Sequence, residues 1–196
     1  MLNTQENALI VFARKPELGK VKTRLARTVG DEKALDIYHH LLKHTRSIAR
    51  AAKATTFIFL TEEIKNEYWS EFVCELQTGE TLGEKMQHAF QSVFLKGFKK
   101  CVIIGSDCPE LTPEIVNDAF AALDQFVAVI GGANDGGYYL LGTKKIIPSL
   151  FKNKEWSTAN VFENTIKDFQ NEELSFYTLP FLNDLDEEKD IPVKWR

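Results

Sequence analysis

Cys101-Val102-Ile103-Ile104 is an uncharged, apolar run that leads into Gly105-Ser106-Asp107 and is closed off by Pro109. A strand with one wet face alternates apolar with polar residues. An unbroken apolar run reads instead as a strand buried on both faces, the kind found inside a parallel sheet. Such a strand needs a covering layer on each side, which points to an α/β fold. In open sheets of this class ligands sit beyond the carboxyl ends of the strands, and Asp107 falls at that place. A carboxylate there suits a hard divalent cation, which binds oxygen and carries phosphates with it.

The rest of the chain repeats the alternation. Ala8 to Phe12 reads as a first buried strand, followed by a polar loop holding Pro16 and Gly19. From Asp31 to about Lys53 the residues Leu35, Tyr38, Leu41, Leu42, Thr45, Ile48, Ala49 and Ala52 follow helical spacing. Thr55 to Thr61 and Phe72 to Leu76 read as strands. Met86, Ala89, Phe90, Val93 and Phe94 form the apolar stripe of a helix, and another helix opens near Thr112-Pro113-Glu114. Phe126 to Ile130, Tyr138 to Leu141 and Ser175 to Leu179 are further strands. Ser157 or Thr158 is placed to cap a helix running to about Phe169. The expectation is a three-layer α/β/α arrangement with a mainly parallel sheet. With no repeat or linker, residues 1–196 read as one domain.

Composition narrows the partners. A formal net charge of −4 argues against broad attraction to nucleic acid or to membranes. Ala8 to Ala13 is too short for a signal-peptide core or a membrane span, and Arg14 ends it. Cys74, Cys101 and Cys108 form no CxxC pair, a usage that fits a reducing cytoplasm. His39, His40, His44 and His88 lie on expected helices without zinc-site spacing.

Within this acidic chain, positive charge is concentrated directly after the first strand. Arg14-Lys15-Pro16-Glu17-Leu18-Gly19-Lys20-Val21-Lys22-Thr23-Arg24-Leu25 begins a stretch to Arg27 with six cationic residues opposed only by Glu17. That is where a nucleotide-binding α/β protein places its phosphate loop, although neither GxxxxGK[ST] nor GxGxxG is present. Arginine offers a planar fork and lysine a point charge for phosphate oxygens, while a glycine such as Gly19 lets backbone amides approach an anion. Lys22 and Arg24 are the preferred phosphate contacts, with Arg14 and Lys15 next; a solvated basic loop is the alternative. Asp107 is the candidate metal ligand, since magnesium takes only one or two protein carboxylates. Its alternative is a turn former. Asp135-Gly136-Gly137 is either a tight hairpin-like turn or the place of an acceptor-side base, Asp135. Asp184 and Asp186 share one side of an extended segment; a late acid could complete a metal shell, or the segment could be a solvated acidic tail.

FARKPELGKVKTRL, GETLGEKM, IGSDCPELTP, DGGYYLLG, WST and the late DLD occur in this order. With them the chain resembles, over nearly its whole length, a family of uncharacterised bacterial proteins with the GT-A glycosyltransferase-like fold. Members are often labelled glycosyltransferases, some associated with arsenosugar biosynthesis. The family is related to the 2-phospho-lactate and molybdenum-cofactor guanylyltransferases. The resemblance implies a nucleotide-diphospho-sugar site with Lys22 and Arg24 in its phosphate segment and Gly83 and Glu84 in a loop near the nucleotide. It places Asp107 at the metal position that a DxD motif fills in many GT-A enzymes, with Asp186 as a second candidate ligand. The chain departs from that motif at Gly105, where an acid is usual. It departs again after Asp186, where Glu187-Glu188-Lys189-Asp190-Ile191 replaces a threonine-proline continuation.

The expected activity is transfer of a glycosyl group from a nucleotide sugar to a small acceptor, assisted by Mg2+ or Mn2+. Lys22 and Arg24 would neutralise the departing nucleotide and Asp135 would act as base. Two alternatives stand beside it: nucleotidyl transfer from a nucleoside triphosphate with pyrophosphate release, and nucleotide binding without turnover. Base, sugar, acceptor and oligomeric state are not specified by the residues.

Overall fold

Seven strands form one sheet in the computed structural model, which describes residues 6–62 and 67–195. They are β1 (Asn7–Ala13), β2 (Thr55–Leu60), β3 (Val73–Leu76), β4 (Lys100–Ile104), β5 (Ala128–Ala133), β6 (Tyr138–Thr143) and β7 (Phe176–Leu182), ordered β3-β2-β1-β4-β6-β5-β7. The helices are α1 (Thr23–Val29), α2 (Asp31–Ala51), α3 (Leu82–Leu95), α4 (Pro113–Gln125) and α5 (Val161–Asn171). β1 pairs in parallel with both β2 and β4, and β2 with β3. β6 runs antiparallel between β4 and β5, and β7 pairs in parallel with β5. This is the expected mainly parallel α/β sheet.

Burial on both faces of the central strands is the organising feature. Leu9, Val11, Ile58, Leu60, Val102 and Ile104 face a core shared with Leu25 of α1, with α2 and with α4. The alternate residues Ala8, Ile10, Phe57, Phe59, Cys101 and Ile103 face a second core with α3 and with Phe169 of α5. Because side chains of a strand alternate between faces, one apolar run serves two helical layers. Among the described residues no helix is long and apolar enough to cross a membrane.

Several boundaries differ from the expectation, each for a local reason. β5 continues through Gly131-Gly132 to Ala133 instead of stopping at Ile130. The glycines keep the strand open to its neighbours: a Cβ on Gly131 would fall 2.3 Å from the Tyr139 ring. α1 occupies the second half of what reads as a basic loop. With seven residues and only Leu25 fully buried, it is too short to declare a helical period. α5 starts at Val161 behind Asn160, not behind Ser157 or Thr158. The Thr158 hydroxyl donates instead to the Glu155 carbonyl at 2.8 Å, and Ser157 has φ +64°.

The turn between β5 and β6 is a hairpin, with Ala133 N donating to Gly137 O and Gly136 N to Ala133 O, each at 3.0 Å. Antiparallel insertion of β6 carries this turn to the edge where β1, β4 and β7 end. Gly136 has φ +89°, and a Cβ there would lie 2.0 Å from the Ala159 carbonyl oxygen. We therefore expect Gly136→Ala to combine about 1–2 kcal/mol of left-handed strain with about 1–3 kcal/mol of overpacking. Urea unfolding of the two proteins measures that loss; an equally stable variant would contradict the packing described.

Candidate functional site

Four segments meet beyond the carboxyl ends of the parallel strands: the loop after β1, the loop after β4, the β5–β6 turn and the chain after β7. Each is delivered there by strand direction alone. The centre of the meeting is the ammonium of Lys22, whose side chain is 7% exposed. Its Nζ lies 2.7 Å from Asp107 Oδ1, donates to the Leu185 carbonyl at 2.7 Å, and stands 3.7 Å from Asp186 Oδ1. Lys22 reaches this position from a left-handed backbone, φ 47° and ψ 43°, immediately before α1. A non-glycine residue held there costs on the order of 1–2 kcal/mol, and in that position the buried ammonium gains its contacts with Asp107 and the Leu185 carbonyl. Arg24, the second residue of α1, donates from Nη1 to Asp186 Oδ2 at 3.0 Å.

Tyr38 ties the start of the basic loop to the β4 loop. Its hydroxyl accepts from Arg14 N at 2.9 Å and donates to Arg14 O at 3.1 Å, with Ser106 Oγ 3.5 Å away. Burial pushes this phenol up to about 12, so it stays a neutral hydrogen-bonding group. Nothing in its sequence context, a helix stripe, distinguishes Tyr38 from an ordinary core residue.

The expected site residues separate into two groups. Lys22, Arg24, Asp107 and Asp186 come together as described. Asp135 lies in the exposed hairpin turn, where its Oδ1 accepts from Gly137 N at 2.8 Å. Arg14 reaches the cluster through its backbone. Lys15 forms ion pairs with Glu17 at 3.8 Å and Glu62 at 3.6 Å. Gly19, at φ +73°, shapes the loop. Gly83 and Glu84 belong to the first turn of α3. A Cβ on Gly83 would meet the Phe151 carbonyl oxygen at 2.2 Å. Glu84 closes a capping box: its Oε2 accepts from Glu80 N at 2.7 Å and Thr81 N at 3.2 Å. Those backbone donors hold its carboxyl below the usual range.

Asp184 is the residue that reading the sequence undervalued. Its Oδ1 is buried with no hydrogen-bond partner among the described residues. Burial first, then the Asp107 and Asp135 charges, push its carboxyl up to about 7, against the attraction of Lys22. Asp186, by contrast, has both oxygens turned towards cations. Alternation along the segment puts the two acids on one side but cannot say which one is short of positive charge. Among the described residues no group of three or more His, Cys, Asp or Glu forms a ready-made metal cage. A magnesium-type site does not need one, because water and phosphate complete its shell. An orphaned buried carboxylate oxygen, under the influence of a second carboxylate, fits such an ion.

A family model described as an uncharacterized protein conserved in bacteria (DUF2064) matches residues 44–158. No curated protein matches the chain. A solved structure from Desulfovibrio desulfuricans, described provisionally as a nucleotide-diphospho-sugar transferase, superposes with a TM-score of 0.88 at 33% identity, covering 93% of this chain and 83% of that one. CMP:2-keto-3-deoxy-manno-octonic acid synthetase, solved with CTP, gives 0.60 at 8% identity over 94% of each chain. Rv0371c from Mycobacterium tuberculosis, solved with manganese, gives 0.56 at 13% identity, covering 95% of this chain and 96% of that one. The last two likenesses are of fold.

The raised carboxyl of Asp184 sets a pH dependence. A carboxyl that holds its proton more tightly folded than unfolded favours folding while protonated. Its advantage is lost as pH climbs from the ordinary value of 3.8 towards about 7. Asp184→Asn keeps the shape without the charge. Relative to wild type, the variant should therefore gain stability between about pH 5 and about pH 8 in metal-free buffer. Urea unfolding at both values checks this, and a difference that does not grow with pH contradicts the assignment.

Proposed function

The chain belongs to the DUF2064 family of proteins conserved in bacteria, and from its site we propose that it transfers a glycosyl group from a nucleotide-diphospho-sugar to a small acceptor, with Mg2+ or Mn2+. The observation that carries this reading is the buried Lys22 ammonium seated 2.7 Å from Asp107 where the strands end. The description of the D. desulfuricans relative agrees with it.

Asp107 and Asp184 are the carboxylates that would hold the metal, and Asp186 serves chiefly as the partner of Arg24. When bound, the metal would supply Lewis-acid neutralisation of the diphosphate. Lys22 and Arg24 hold the diphosphate and stabilise the charge that builds on it as the bond from the anomeric carbon to the phosphate oxygen breaks. Both cations are pre-placed, so little reorganisation is needed during the step. Asp135, exposed on the hairpin turn, accepts the proton of the acceptor hydroxyl as its oxygen bonds to the anomeric carbon. Arg14, Lys15 and Gly19 line the approach of the phosphates, and Gly83 and Glu84 mark the α3 end of the nucleotide cleft. Residues 1–196 act as one domain.

A second reading is nucleotidyl transfer, favoured by the fold shared with an enzyme solved with CTP. A substrate phosphate would attack the α-phosphate of a nucleoside triphosphate, and the same cations would stabilise departing pyrophosphate. Radiolabelled nucleotide sugars and nucleoside triphosphates, incubated with candidate acceptors and Mn2+, separate the two. Sugar transfer is expected, and Asp107→Asn should lower its rate by about a hundredfold or more while leaving the fold intact. Pyrophosphate release without sugar transfer would replace the first reading with the second. Metal-dependent nucleotide binding with no turnover of any donor would leave a binding protein.

A further inference from the structure

Asp184 lies outside the sheet, two residues after β7 ends, so something other than strand pairing must hold its carboxylate at the site. The contacts on its two flanks supply the answer. On one side, Asn183 N donates to Glu110 Oε2 at 2.8 Å and Asn183 Nδ2 donates to Glu110 Oε1 at 3.0 Å. The same side chain accepts at Oδ1 from Asn134 Nδ2 at 2.8 Å, and the Asn183 carbonyl receives the Cys108 thiol at 3.5 Å. On the other side, Leu185 N donates to the Asp107 carbonyl at 2.8 Å, and Leu185 is fully buried. Both flanks are thus fastened to the loop after β4 that carries Asp107.

We propose that Glu110 and Asn183 form a clamp that fixes Asp184 opposite Asp107, which makes them positioning residues of the nucleotide site; the inference rests on the reading of that site above. The chemistry of the pair is specific. Glu110 presents two coplanar acceptors to two donors of one residue, one from backbone and one from side chain, which defines both position and orientation. Asn183 is left with its amide oxygen, which Asn134 of the hairpin turn uses. One asparagine therefore joins three of the converging segments. Outer contacts of this kind set the placement of a ligand carboxylate, and their loss typically weakens metal binding by about 10–100-fold.

The alternative is a staple that adds stability and nothing else. Glu110→Gln opposes an amide donor to the Asn183 amide at one of the two contacts. Adding Asn183→Asp reverses the side-chain contact, because the introduced amide then donates to the introduced carboxylate, while the backbone N–H of position 183 keeps the remaining carbonyl acceptor and local charge is unchanged. Mn2+ binding is followed by electron paramagnetic resonance with UDP-glucose, GDP-mannose or CTP, beside thermal unfolding. Glu110→Gln should weaken nucleotide-dependent Mn2+ binding by about tenfold with little change in unfolding temperature. The double change should return binding to within about twofold of wild type. Unaltered binding in Glu110→Gln, loss that the double change does not recover, or loss that merely follows unfolding temperature overturns the clamp. A wild-type chain that binds Mn2+ with none of these nucleotides overturns the reading of the site, and the clamp with it.

Discussion

Burial of β1 and β4 on both faces is the constraint from which the rest of the arrangement follows. Each strand feeds two cores, one under α1, α2 and α4 and one under α3 and α5. β1 accordingly pairs in parallel with both β2 and β4, and the helices α2 and α3 return the chain to the starting edge before β2 and β4. Their carboxyl ends then lie together, and so do the loops that follow them. The site is a consequence of that shared direction. No single loop is long enough to build it.

Charge balance at that edge is the second constraint. The charges of Asp107, Asp135 and Asp186 all act on Asp184, and Lys22 and Arg24 are the cations paired with Asp107 and Asp186. Lys22 serves Asp107 and the Leu185 carbonyl, while Arg24 serves Asp186. Asp184 keeps a buried oxygen without a partner among the described residues, and burial first, then the charges of Asp107 and Asp135, push its carboxyl up to about 7. An additional cation is the simplest chemical remedy, and phosphate groups bound through that cation would in turn occupy Lys22 and Arg24.

Much of this was legible in the residues. The apolar runs at Ala8–Phe12 and Cys101–Ile104 identify doubly buried strands, because only a two-sided core tolerates four or five such residues without a polar break. The placement of Lys22 after the first strand and of Asp107 after the fourth follows from chain order, and the structure sets them 2.7 Å apart. α1 was not legible, since its seven residues bury a single side chain fully. Nor was the extension of β5 through two glycines, which make room for the ring of Tyr139 at Gly131 and for those of Phe181 and Phe162 at Gly132. Tyr38 is indistinguishable by spacing from its helical neighbours, and its hydroxyl contacts with Arg14 arise only in three dimensions.

The sequence by itself determined the succession of strands and helices, the double burial of the central strands, and the presence of a basic loop and an acid at strand ends. Those properties depend on local periodicity and on the nature of neighbouring residues. Only the tertiary structure decided that β6 runs antiparallel between β4 and β5, which brings the Asp135 turn to the site edge. It also decided between Asp184 and Asp186. The two share a side of one short segment, and they differ because Arg24 and Lys22, some 160 positions earlier, pair with Asp186 and leave a buried oxygen of Asp184 without a partner among the described residues. A contact between residues so distant in the chain carries no local signature; sheet order and packing alone create it.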